Sequence, residues 1–169
     1  MVECQKCLDP TSFGLFLVAV VSLPLAVLQL WQPDGFAWLP TGNFFLLIGA
    51  LIIAVAILAY RSDSNFGFVV FGLVGAAVFM TGFGMGFMEN ITFGFVFILA
   101  IIWSILAKTP KNLSLILVTT ALIFLFVGFS MYDGSDWWHW LIGIAALFNF
   151  LFNIYLAYAL ALDGKLPVF

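Results

Sequence analysis

A chain of 169 residues that is 65% hydrophobic and 8% charged, with mean hydropathy +1.23, has too little polar surface to fold in water. Its net charge of −3 comes from five basic and eight acidic residues, and no nucleic-acid partner is expected of it. What the charges convey is therefore their position along the chain.

The chain opens on a polar segment, MVECQKCLDP, in which Cys4 and Cys7 form a CxxC pair. Two thiols do not close a zinc site, so the pair reads as two thiols in a tail or as half of a site shared between subunits. Six apolar segments follow, at about 12–31, 43–60, 65–88, 91–107, 113–131 and 137–162. Each approaches the roughly 20 residues that a helix needs to cross a bilayer. The expected fold is all-α: one polytopic membrane domain over residues 1–169, with six transmembrane helices per protomer.

The first segment carries Pro24 and ends at Trp31, which with Trp38 suits an interfacial belt. The third, from Asn65 to Met88, is uncharged yet holds six glycines, so it is expected to be the innermost helix of the bundle. Glu89-Asn90 reads as a tight turn into the fourth. With six spans both termini share one side, and all five basic residues (Lys6, Arg61, Lys108, Lys111 and Lys165) fall there. The opposite loops carry Asp34, Glu89, Asp133 and Asp136. This distribution places both termini in the cytoplasm of a cell-membrane protein.

No Asp, Glu, Lys, Arg or His is expected at membrane depth, where proton-coupled carriers keep an ionisable group. The single histidine, His139, sits in WWHW at a rim. Three segments open on a similar phrase: Ser12-Phe13-Gly14, Asn65-Phe66-Gly67 and Thr92-Phe93-Gly94. A capping residue before glycine leaves N–H groups able to attract a small anion, or marks an ordinary cap at a close helix crossing. The first and fourth helices enter from opposite faces, so their shared phrase hints at an inverted three-plus-three repeat. Asn149 and Asn153 share one face of the sixth segment, and Thr119 and Thr120 lie mid-span on the fifth. These groups either hydrogen-bond a passing carboxylate or hold helices together.

The chain resembles the acetate uptake transporter family, the acetate/succinate permeases. Asp9-Pro10-Thr11-Ser12-Phe13-Gly14-Leu15 echoes the family's opening motif Asn-Pro-Ala-Pro-Leu-Gly-Leu, and Ser64-Asn65-Phe66-Gly67 its Asn-Thr-Phe-Gly. Ile154-Tyr155-Leu156-Ala157 and Leu166-Pro167 repeat the last helix and the ending, so the likeness runs nearly end to end. The resemblance implies a six-helix protomer in a hexamer (a pentamer is the lesser alternative), each protomer holding its own pathway. It places the family's constriction on Val18, Val74 and Val118, all smaller than the family's Phe, Tyr and Leu. Asn153 replaces a small residue, and Tyr155 joins the pathway set.

The function this implies is a channel or transporter for acetate and related small monocarboxylates, succinate included. A channel for a neutral solute such as urea or a short-chain amide, or a structural membrane subunit, are the alternatives. An enzyme would need a nucleophile, an acid–base pair or a metal set within the spans, and none is present; no cofactor is expected.

Overall fold

The structure, a computed structural model, describes residues 10–31, 42–162 and 166–168. Cys4, Lys6, Cys7, Asp9, Asp34, Trp38 and Lys165 lie outside them. Six helices account for nearly all of the described chain: α1 (Thr11–Trp31), α2 (Gly42–Arg61), α3 (Asn65–Gly82), α4 (Phe87–Leu106), α5 (Lys111–Asp133) and α6 (Trp137–Ala161). All six are long and apolar enough to cross a membrane. In a bilayer only a structure that satisfies its own backbone can span, and helices do this within each segment.

Close contacts give the register of each pairing. Gly42 meets Gly82 and Gly49 meets Phe79, so α2 and α3 run antiparallel. Gly94 meets Leu125 and Gly128 meets Ile91, which makes α4 and α5 antiparallel as well. Ser12 Oγ donates to the Ala157 carbonyl at 3.0 Å, while Gly143 meets Leu30, aligning α1 with α6. The main pairings are α2 with α3, α1 with α6, α4 with α5, and α5 with α6. α1 also touches α2 and α3. Repeat-related halves would share pairings: α2–α3 has its counterpart in α5–α6, whereas α1–α6 has no comparable partner in α3–α4 among the described residues.

One end of this bundle, the basic end, carries Arg61, Lys108 and Lys111 at its turns. The other, the acidic end, carries Glu89, Asp133 and Asp136. At the basic end Ser64 caps α3, its hydroxyl accepting from the Gly67 N–H at 3.2 Å. The hydroxyls of Ser104, Thr109 and Ser114 join across the α4–α5 turn, at 2.5 and 2.9 Å from Ser104. At the acidic end Trp31, Trp137 and Trp140 are exposed, and the Trp138 indole donates to Asp133 at 3.1 Å.

Two expectations need correction. The stretch 65–88 is not one span. α3 stops at Gly82, Gly84 turns the chain at φ +82°, and α4 starts at Phe87. Three glycines within five residues make continuation as a helix costly, and only glycine enters that left-handed turn cheaply. Glu89 and Asn90 are therefore in the first turn of α4, and Asn90 is buried. Nor is α3 the innermost helix. Half of α5's membrane-length window is buried (50%) against 39% for α3. The α3 glycines serve a seam with α2 instead: a Cβ on Gly49 would lie 2.5 Å from the Phe79 nitrogen, and Gly75 packs on Ile53.

The main core fills the middle and the basic half, where Leu15, Ile52, Phe71, Phe97, Ile116 and Leu117 are buried. Gly49→Leu should force α2 and α3 apart, an overpacking cost of about 1–3 kcal/mol. Its detergent-solubilised melting temperature should fall, while Gly72→Leu, where a side chain meets open space, should melt like the unaltered protein.

Candidate functional site

Asn149, in the middle of α6, is 1% exposed and has every hydrogen-bonding position occupied. Its Nδ2 donates to Thr120 Oγ1 at 2.8 Å, Thr119 Oγ1 at 2.9 Å and the Ile116 carbonyl at 3.2 Å. Its Oδ1 accepts from Ser22 Oγ at 2.7 Å and from Asn153 Nδ2 at 2.9 Å. One carboxamide thus joins α1, α5 and α6. The spacing on each helix explains the convergence: adjacent Thr119 and Thr120 straddle the α6 seam, and Asn149 and Asn153 stand one turn apart. Both threonine hydroxyls donate back to carbonyls of their own helix, as isolated hydroxyls in an apolar helix do.

Above this cluster, toward the acidic end, lies a cavity of about 180 Å³. A water needs roughly 10–15 Å³ of such space, so the cavity has room for several waters or one small solute. All six helices line it. Val18, Val74, Thr120 and Asn149 lie at its deep end; Phe45, Val78 and Phe124 line its walls. Gln29, Thr81 and Asn90 are nearest the acidic end. Phe124 stacks on Phe97 with centroids 5.6 Å apart, so its ring is held from behind. Among these lining residues none is ionisable, and the walls are predominantly apolar. The His139 ring faces Gln29, Nδ1 to Oε1 at 2.5 Å, and ties α6 to α1 behind the wider end.

The residues expected in the pathway divide into three groups. Val18, Val74 and Asn149 line the cavity. Thr119 and Asn153 are fully engaged in the cluster at its deep end, without lining it. Val118 and Tyr155 belong to neither. Val118 is half-buried beside the fully buried Leu117, about 100° around the helix from the inward face. Tyr155 donates its hydroxyl to the Pro167 carbonyl at 2.8 Å and ties the C-terminal segment to α6. The three-valine ring is therefore a two-valine floor completed by Thr120 and Asn149.

The helix ends expected to attract anions are not open in this structure. Thr92-Phe93-Gly94 lies inside α4, with Thr92 Oγ1 donating to the Met88 carbonyl at 2.8 Å and Gly94 against Leu125. At α3, Ser64 satisfies the Gly67 N–H, and Asn65 and Phe66 stand beside this capped end. At α1, the Gly14 N–H donates to the Pro10 carbonyl at 3.0 Å and Ser12 is spent on Ala157, with Phe13 exposed. None of these residues lines the cavity. Capping and close crossing account for the phrase.

Four polar residues of the site, Ser22, Gln29, Thr81 and Asn90, carried too little signal to be singled out. Ser22 is one serine in an apolar run beside Pro24, Asn90 reads as a turn residue, and Gln29 sits near a helix end. Only the i, i+4 pair on α6 and the adjacent threonines on α5 form a pattern.

No protein-family model matches the chain, and no curated protein matches it in sequence. Among solved structures, the bacterial acetate channel SatP superposes with a TM-score of 0.74 at 17% identity. The match covers 95% of this chain and 98% of that one. The two proteins share a fold over essentially the whole of both chains.

Proposed function

We propose that this chain forms a membrane channel or transporter for acetate and related small monocarboxylates, with a pathway inside each protomer. The observation that carries this reading is the cavity: it converges from the acidic end onto Val18, Val74, Thr120 and Asn149 at mid-bundle. The shared fold with an acetate channel supports the substrate class. Narrow apolar walls admit a two-carbon acid and reject larger or more hydrated solutes. The polar cluster offsets part of the several kcal/mol that a polar solute loses on leaving water. We assign no catalytic role to any residue.

The deep end is closed in this structure by the core around Leu15, Phe71 and Leu117. Passage therefore requires these helices to part. The α1–α6 and α5–α6 contacts around Asn149 are the ones that must adjust, since they hold the floor. Exposed apolar side chains on α2, α3 and α4, such as Leu47, Phe68 and Phe95, meet lipid or a neighbouring protomer. The family resemblance favours a hexamer, and native mass spectrometry from mild detergent should show six chains per particle.

Reconstituted protein should exchange labelled acetate across liposomes, with competition by propionate stronger than by succinate. Val18→Phe combined with Val74→Tyr should narrow the floor and slow propionate at least several-fold more than acetate. Unchanged selectivity in that pair would move the constriction elsewhere. The basic end should face the cytoplasm. Cys4 and Cys7, the chain's two cysteines, then report sidedness: a membrane-impermeant maleimide should label them only after cells are permeabilised.

A further inference from the structure

One atom in the cluster has nothing to bind. Asn153 is 0% exposed; its Nδ2 donates to the Asn149 carbonyl at 2.8 Å and to Asn149 Oδ1 at 2.9 Å. Its Oδ1 is buried without a partner. The amide cannot be turned over to cure this, because its Oδ1 would then face the Asn149 carbonyl, which can only accept. Asn149 is fixed in the same way by the Ile116 carbonyl. The orphan is therefore an acceptor, and it lies one helical turn beyond the cavity floor toward the basic end.

The surrounding donors are all committed. The Ser22 hydroxyl lies against Asn149 Oδ1 and the Val18 carbonyl. The Thr119 and Thr120 hydroxyls point to backbone carbonyls, and both amide nitrogens are spent within the cluster. A bare carboxylate has only acceptors and would find no free donor here. A solute carrying an O–H or N–H beside its carbonyl would find there a side-chain acceptor that lacks a partner. A buried acceptor left unsatisfied is destabilising, so a donor that reaches it is bound at a site already desolvated.

We propose that Asn153 Oδ1 is a specificity-determining subsite that receives the donor of an uncharged acetate-sized solute, either an undissociated carboxylic acid or a primary amide. This rests on the channel reading above and names the species that crosses. No residue lining the cavity or joined to the cluster is ionisable, and His139 reaches the cavity only through Gln29 at its wider end, so the pH dependence expected at the floor is that of the solute.

The test uses full-length protein in liposomes, with protein-free liposomes subtracted. Three probes are compared: labelled acetate at pH 6 to 8, acetamide, and dimethyl sulfoxide as a donor-free solute with acetamide's number of heavy atoms, with osmotic water flux as the control for intact protein. Acetate exchange should follow the undissociated fraction and fall about tenfold per pH unit above the carboxyl pKa. Acetamide should outpace dimethyl sulfoxide. Asn153→Ala should cut the acetamide-to-sulfoxide ratio at least fivefold; Asn153→Leu, which fills the same space without an acceptor, should do the same if the alanine variant fails to assemble. Pronounced acetate exchange with little amide flux identifies the acid as the solute, and the reverse identifies the amide. Acetate exchange indifferent to pH, with no acetamide flux, overturns the subsite while leaving a carboxylate channel standing. A ratio unchanged in both variants also overturns it, the acceptor then holding only an ordered water. Absence of protein-dependent flux of every probe overturns the channel reading itself.

Discussion

The polar side chains at the centre of this bundle lie away from bulk water, and one carboxamide satisfies most of them. Asn149 joins Ser22 on α1, Thr119, Thr120 and the Ile116 carbonyl on α5, and Asn153 on its own helix. Lipid offers apolar helices no hydrophobic reason to associate, so packing and such hydrogen bonds must supply it. Removing the amide would leave several buried groups unpaired at about 1–3 kcal/mol each. The same cluster fixes where the cavity ends.

Around that centre the glycines set distances. Gly49, Gly75 and Gly82 bring α2 and α3 to backbone contact, and Gly94 and Gly128 do so for α4 and α5. Gly14 admits the Phe71 ring and Val55 against α1. The α2–α3 and α4–α5 seams make two tight antiparallel pairs, α1 and α6 make a third where Gly143 meets Leu30, and the cavity lies between the pairs toward the acidic end.

The six spans were legible because bilayer thickness imposes a length that apolar runs display directly. The pair Asn149 and Asn153 was legible from its spacing, and Val18 and Val74 from a motif offset that landed on inward positions. Val118 fell outside by the same procedure, since an error of one residue on a helix rotates a side chain by about 100°. Thr92-Phe93-Gly94 read as a helix start because apolar sequence hides the break at Gly82–Gly86, which depends on a left-handed glycine and on no change in hydropathy. Ser22 and Asn90 were invisible for a simpler reason. A lone polar residue in an apolar run has no pattern until a partner from another helix is placed against it.

The central claim is that solute enters from the acidic end and passes inside the protomer over the floor at Val74 and Asn149. Cysteine accessibility along α3 tests it most directly, in protein whose Cys4 and Cys7 are first replaced by serine. Thr81→Cys, Val78→Cys and Val74→Cys, taken singly, should react with a small methanethiosulfonate applied from the acidic side. Rates should fall in that order, and each modification should block acetate flux, while Val118→Cys, at mid-span and off the cavity, should stay unreactive. If the three α3 positions prove unreactive, or react with flux intact, the pathway lies outside the protomer and the account is contradicted.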